Sequence, residues 1–233
     1  AAMANTLFLR LEGPLQPWGE RARWRVRDTA PEPTKSGVVG LLACALGLQA
    51  DADIQALTRQ VRVGVRCDLP GELVRDYHTV VGGVLSAEGK IKRTPSTGKI
   101  ETVVSERYYL ADASFLVAVQ APPELIERLA EAVQHPHWPI YLGRKSCVPT
   151  QPVFAGTGDY PTLLDALQAA PRCDRWPADQ TMHIRAVVEC APREGVRRRD
   201  EILSRAFRTY TTRYTHDLAL EFPPVDGEME EEV

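Results

Sequence analysis

No stretch of this chain stays apolar for the ~18 residues that a membrane-spanning helix requires. The longest apolar segment, Val38 to Leu48, is broken by Gly40 and Gly47. No membrane partner is expected. Cysteine is scarce and scattered: the five thiols, Cys44, Cys67, Cys147, Cys173 and Cys190, are an odd number with no C-x-x-C pair and no secretory signal ahead of them. This excludes a disulfide framework and implies reduced thiols in a cytoplasm. The common hydrolytic signatures are missing too. There is no H-E-x-x-H and no Gly-x-Ser-x-Gly, and Lys35-Ser36-Gly37 has the wrong order for a P-loop and lacks its preceding glycine. His135-Pro136-His137 has no cysteine or carboxylate spaced to complete a metal site, so neither metal nor cofactor is expected.

What remains is a globular chain of 233 residues, 44% hydrophobic, with enough apolar surface for a substantial core. Its formal net charge of −3 is unevenly placed. Seven of the 31 acidic residues lie between Asp217 and Val233, where there is no Lys or Arg, so the preceding residues carry 28 basic against 24 acidic side chains, or +4. A mildly basic body with a partly disordered acidic tail, 217–233, is expected. Residues 1–4, with Ala1-Ala2 ahead of Met3, read as an N-terminal remnant and are set aside.

The most informative stretch places Arg21, Arg23, Arg25 and Arg27 at every second position, then Pro33-Thr34-Lys35-Ser36-Gly37, then a helix. In an extended segment, alternate side chains share a face and stand ~6.6 Å apart, close to the phosphate spacing of a stretched single strand of nucleic acid. The following helix adds unpartnered N–H groups and the positive end of its dipole. The same residues also describe an edge strand protected by charge, followed by an ordinary cap.

Periodicity supplies the order of elements. Thr6 to Leu11 alternates as a strand; Val38, Leu41, Leu42, Ala45 and Leu46 form one helix face, with Gly47 as C-cap. Val61 to Cys67 and Val74 to Val81 read as paired strands around Pro70-Gly71. Between Gly82 and Thr102 the apolar content collapses into a basic, glycine-punctuated excursion. Strand character returns from Tyr108 to Val119. Pro122-Pro123 opens a second helix through Ile126, Leu129, Ala130 and Val133, and Ile140 to Val148 closes the pattern as a strand. After Pro149, Leu163 to Ala169 reads as a short helix, Met182 to Cys190 as a strand and Arg197 to Arg199 as a basic turn. Strand, helix, strand, strand, helix, strand is the ferredoxin-like arrangement of RNA-recognition domains, so the expected class is α+β. The expected division is a recognition domain over 5–150, a protruding thumb at about 82–107, and a smaller, irregular β-rich part over 151–216.

Two further clusters carry chemistry. Arg75-Asp76-Tyr77-His78 suits base stacking by Tyr77 and phosphate or backbone contact by His78. Metal-free RNA cleavage is also open, with His78 as base and Lys90, Lys92 or Lys99 opposite the developing charge, although no second histidine is placed as the acid. Tyr141 to Cys147 brings Arg144 and Lys145 beside Gly143. A third reading treats the chain as a protein-interaction module whose acidic tail docks on a basic neighbour.

Leu9 to Gly19, Pro33 to Gly37, Arg75 to Thr79, Tyr109 to Phe115 and Tyr141 to Cys147, in that order, resemble the fifth numbered family of CRISPR-associated proteins, within the RAMP superfamily. The form resembled is the CasD-type subunit of type I-E Cascade, and the match covers about residues 5–160. The resemblance implies a non-catalytic scaffold of an antiviral ribonucleoprotein that binds the 5′ handle of the CRISPR RNA and caps the backbone filament. Its partners would be the adjacent backbone subunit and the large target-recognition subunit, with target DNA met only indirectly near the PAM end. It implies RNA-binding residues at Trp18, Arg21, Arg23, Arg25, Arg27, Lys35, Ser36, Gly37, Tyr77, His78, Arg144 and Lys145, with Lys90, Lys92, Arg93, Lys99 and Arg107 on the thumb. In type I-C relatives the equivalent subunit is a metal-independent endoribonuclease, and here no lysine adjoins His78 to complete such a site.

Overall fold

The computed structural model describes residues 3–19, 25–83, 85, 88–204 and 207–225. Strand β1 (Thr6–Glu12) is buried on both faces, as its run Leu7-Phe8-Leu9 demands. Two short strands follow, β2 (Leu15–Gln16) and β3 (Val26–Arg27). Helix α1 (Lys35–Leu46) starts at Thr34, whose hydroxyl accepts from the Gly37 N–H at 3.2 Å, and stops at Gly47 in the left-handed region, φ 74°. Helix α2 (Asp51–Gln60) places Asp51 and Asp53 in its first turn and Arg59 in its last, charges that match the helix dipole.

Strands β4 (Arg62–Leu69), β5 (Glu72–Val80), β6 (Val103–Ala111) and β7 (Ser114–Gln120) come next, then helix α3 (Pro123–Gln134) with proline in its first turn. Strand β8 (Phe154–Gly158) and helix α4 (Leu163–Ala169) lead to strands β9 (Met182–Cys190), β10 (Val196–Ser204) and β11 (Thr209–Phe222). No single helix among the described residues is long and apolar enough to cross a membrane.

Seven strands form one antiparallel sheet in the order β10-β11-β9-β4-β7-β1-β8. One face carries Leu7, Leu9, Val63, Val65, Phe115, Val117 and Val119 against Val38, Leu42, Leu57, Ile126 and Leu129 of α1, α2 and α3. The other packs Phe8, Leu116 and Ala118 against α4, Trp176 and Phe222. Arg66 is fully buried on this second face, where it donates to the α4 carbonyls of Leu167 (2.9 Å) and Ala170 (3.0 Å) and pairs with Asp68 at 2.6 Å. A second sheet centres on β6, which β5 flanks on one side and β2 and β3 on the other. The molecule is a mixed α+β protein built on a large antiparallel sheet.

Several expectations are corrected. β5 pairs along its whole length with β6 and not with β4, because Gly71, φ 73°, turns the chain out of the large sheet. The strand character from Tyr108 to Val119 splits at Asp112, φ 55°, into β6 and β7, which lie in different sheets. Ile140 to Val148 is not a strand. Its backbone closes on itself, with Leu142 N–H donating to the Cys147 carbonyl at 2.7 Å and Cys147 N–H to that of Arg144 at 2.8 Å. The strand that pairs with β1 in its place is β8. Arg197 to Arg199 lies within β10 and not in a turn, and Asp217 to Phe222 is not tail but the end of β11, whose Asp217 pairs with Arg185 at 2.6 Å. The acidic residues from Asp226 onward lie outside the described residues.

A buried charge network joins α1 to the last three strands. Lys35, 2% exposed, places Nζ 3.0 Å from Glu189 and 3.7 Å from Glu201. Its backbone N–H donates to Asp200 Oδ2 at 2.9 Å, and Asp200 also accepts from Arg213 at 2.7 and 2.8 Å. Beside it, buried Glu32 pairs with Arg198 and, at 2.7 Å, with Arg185.

Breaking one partner of a buried pair leaves the other charge uncompensated, so Lys35→Met is expected to lower the unfolding free energy by about 3 kcal/mol in urea titrations. Burial pushes the Asp200 carboxyl up, but hydrogen bonds from Arg213, that residue's charge and the Lys35 N–H outweigh it and hold the group below the ordinary 3.8. A depressed folded-state pKa gives stability that is present above the ordinary carboxylate value and is lost as pH falls through the folded one. The thermal midpoint should therefore drop as pH falls below about 3.8, and Asp200→Asn, less stable at neutral pH, should lose that part of the acid dependence.

Candidate nucleic-acid interface

β3 and β6 run parallel with Arg27 registered against Arg107, so the two guanidinium side chains leave the same face of the small sheet. Two residues further along β6, Tyr109 offers its ring to Arg144, whose guanidinium carbon lies 4.4 Å from the ring centroid. Arg144 is held in place by its own hydrogen bonds, to the carbonyls of Tyr108 at 3.3 Å and Arg27 at 3.2 Å. It reaches that position because Gly143, φ 83°, turns the chain where a Cβ would stand 1.8 Å from the Pro17 carbonyl oxygen. Only glycine fits there. Arg208, in the turn between β10 and β11, completes the group.

Three of these arginines, Arg27, Arg144 and Arg208, line a cleft of about 290 Å³ together with Trp18, Asp28, Ser36, Gly37 and Tyr210. Partial burial, and then the charges of Arg107, Arg144 and Arg208, push Arg27 below the usual arginine range. Arginine nevertheless keeps its proton in proteins, so the mutual repulsion is relieved by an anion and not by deprotonation. Planar forked donors gathered around a polar cleft suit phosphate oxygens.

The expected site residues do not all fall in one place. Arg27, Ser36, Gly37 and Arg144 line the cleft, and Arg107 flanks it. Arg25 is exposed just before β3, and exposed Lys145 follows Arg144. Arg21 and Arg23 lie outside the described residues.

Two of the expected contacts are buried side chains. Trp18 is 1% exposed; its ring packs over Gly37 and its Nε1–H donates to Gln16 Oε1 at 3.0 Å, so it belongs to the core. Lys35 is equally inaccessible, and the anion site at the start of α1 is already filled by Asp200. Burial corrects the RNA-contact role expected of Lys35, whereas Trp18, though a core residue, is also among those lining the cleft.

Tyr77 and His78 do not share a nucleotide-facing surface either, since adjacent strand residues point to opposite sides. Tyr77, 66% exposed, stands on the face of Arg75 and Glu106, which approach each other to 3.8 Å. His78 stands on the face of Arg107, with its Nδ1 3.2 Å from Asp76 Oδ2. Lys90, Lys92, Arg93 and Lys99 occupy the excursion between β5 and β6, where Arg93 donates to the Gly98 carbonyl at 2.9 Å and Leu85 bridges to Ile91. None of these four lines the cleft.

Reading the sequence missed Arg208 and Tyr210. They arrive from a hairpin some 180 residues beyond Arg27, and no local motif marks them.

The chain matches the family described as CRISPR-associated protein (Cas_Cas5) over residues 6–215. It is 40% identical over 171 residues to the CRISPR system Cascade subunit CasD of Escherichia coli strain K12, an alignment covering 66% of this chain and 72% of that protein. A solved chain of a CRISPR RNA-guided surveillance complex superposes with a TM-score of 0.77 at 31% identity, covering 94% of this chain and 91% of the other. A crystal structure of a Cas protein superposes with a TM-score of 0.70 at 34% identity, covering 92% and 94%. The matched residues include β3, β6, Arg144 and Arg208, so the family match spans the large sheet and the arginine cleft alike, and the chain belongs to the Cas5 family of CRISPR-associated proteins.

Proposed function

We propose that this protein is a non-catalytic Cascade subunit that binds the 5′ handle of a CRISPR RNA and caps one end of the backbone filament. The observation that carries the reading is the convergence of Arg27, Arg144 and Arg208 on one cleft, with Arg107 registered against Arg27 beside it. Family membership and the likeness to a chain of an RNA-guided surveillance complex supply the context. Four guanidiniums can hold two or three successive phosphates and so position the strand, with base identity read elsewhere. Assembly with the adjacent backbone subunit and the large target-recognition subunit, in the cytoplasm, follows from the same reading.

The fold supports it at finer grain. Within the large sheet, β4, β7, β1 and β8 are neighbours in that order, with α1 and α3 in the connections, which is the strand order of a ferredoxin-like domain. β5, β6 and the basic excursion between them form the thumb of this reading, and β9 to β11 extend the recognition sheet past β4. We read the thumb as the element that wedges between handle and spacer.

One observation favours the alternative of a metal-independent endoribonuclease: the Asp76–His78 contact on the face of Arg107. Cleavage also needs a proton donor for the leaving oxygen, and Tyr77 points to the opposite face. Scaffolding is the better-supported reading.

Binding of handle-containing single-stranded RNA should weaken steeply with salt, with a log–log slope of about −0.7 for each phosphate neutralised. Arg27→Gln and Arg107→Gln should each weaken binding roughly tenfold and make that slope shallower by about 0.7 in anisotropy titrations. Lys35→Met should leave the slope of the folded protein unchanged. Labelled repeat RNA incubated in EDTA should remain uncut; a specific cut that disappears in His78→Ala would transfer the assignment to the nuclease.

A further inference from the structure

We infer that the turn between β10 and β11 is a further wall of the RNA site, with Phe207 serving as a stacking platform for one nucleobase beside the phosphate held by Arg208. This inference rests on the RNA-binding reading above and adds a base-contacting residue to it. Phe207 is 83% exposed, the highest value of any large apolar side chain among the described residues. An aromatic ring left so open costs solubility and gains nothing for the core. Its backbone N–H accepts no such neglect: it donates to Ser204 Oγ at 3.3 Å, which pins the turn. Ser204 in turn donates to Asp51 Oδ2 at 2.7 Å, tying the end of β10 to the first turn of α2.

The next residue, Arg208, sits at φ 49°, a conformation a non-glycine side chain adopts at a cost. Its guanidinium acts on Arg27 and lines the cleft with Tyr210. Adjacent positions thus carry an arginine that lines the cleft and a ring that is open to solvent. The strands that flank them are held against α1 by the Asp200, Arg213 and Lys35 network. In a single strand each phosphate is one sugar away from a base, so a ring one residue from a phosphate-holding arginine lies within reach of that base. Stacking tolerates any base, because each has a π face. The chemical class of the ligand is therefore a single-stranded ribonucleotide segment read by stacking and charge, without hydrogen-bond readout by Phe207.

The test uses the full-length protein and a single-stranded RNA carrying the 5′ handle, with 2-aminopurine placed at successive positions. Wild type should quench the fluorescence at one position, and Phe207→Ala should abolish that quenching and weaken binding about tenfold. Because Phe207 carries no charge, the salt slope should not change, and Phe207→Trp should restore both affinity and quenching. Unchanged affinity and quenching in Phe207→Ala would overturn this inference while leaving the arginine cleft in place. So would intact RNA binding coupled with lost association to the other subunits, which would make the ring a protein contact. Failure of the wild type itself to bind the RNA would instead overturn the RNA-binding reading on which this one rests.

Discussion

A carboxylate buried at the start of α1 sets the terms for the rest of the molecule. The N-terminus of a helix is an anion site by construction, and in an RNA-binding protein it is a natural place for a phosphate. Here Asp200, carried in on β10, takes the Lys35 N–H and two hydrogen bonds from Arg213, so that site is filled from within. Taking such charges out of water is costly unless every one of them is paired, and Lys35, Glu189, Glu201 and Arg213 complete the set. The consequence is geometric. α1 and the hairpin of β10 and β11 are locked together, and the turn that carries Phe207 and Arg208 is brought to the edge of the small sheet.

The arginine cleft follows the opposite rule. Two unit charges 4 Å apart repel by about 1 kcal/mol in water and about 4 kcal/mol at the dielectric of a protein surface. Gathering Arg27, Arg107, Arg144 and Arg208 thus carries a repulsive cost, and Arg27 is pushed down first by partial burial and then by its three arginine neighbours. Local devices offset part of that repulsion: Arg144 lies on the Tyr109 ring and donates to two carbonyls. On the RNA-binding reading proposed above, phosphate oxygens entering the cleft would offset more of it.

The contrast between these two clusters also bears on what could be read in advance. Helix α1 was legible because its apolar face repeats at 3.6 residues and Gly47 closes it, and α3 because Pro122-Pro123 opens it and Ile126, Leu129 and Val133 repeat. β10 was illegible as a strand. Its buried position is Asp200, and the segment of β11 paired with it buries Arg213 and Thr215, so the period-2 signal there is carried by charged and polar groups where a pattern search looks for apolar residues. α2 was hidden by its polarity, with Ile54 and Leu57 its only buried apolar side chains. Within the site, Arg27 and Arg144 stood out as local clusters with glycines nearby. Lys35 stood out equally and was misassigned, because nothing in Thr34-Lys35-Ser36 announces that Glu189 and Asp200 will come to meet it.

Net charge misleads for the same reason. The whole chain is acidic by three charges, which argues against an RNA ligand only if all charges face solvent. Many of its acids are turned inward or spent on neighbours. Asp200, Glu189 and Glu201 neutralise Lys35 and Arg213, Asp68 neutralises Arg66, and Glu32 with Asp217 neutralises Arg185 and Arg198. The cleft has its own balance: three arginines line it, with Asp28 the one acid among its lining residues. A phosphate approaching from solvent meets the local field first, since charges more than about 8 Å away are screened at physiological salt. The sign of the cleft, and not that of the chain, therefore governs what binds there.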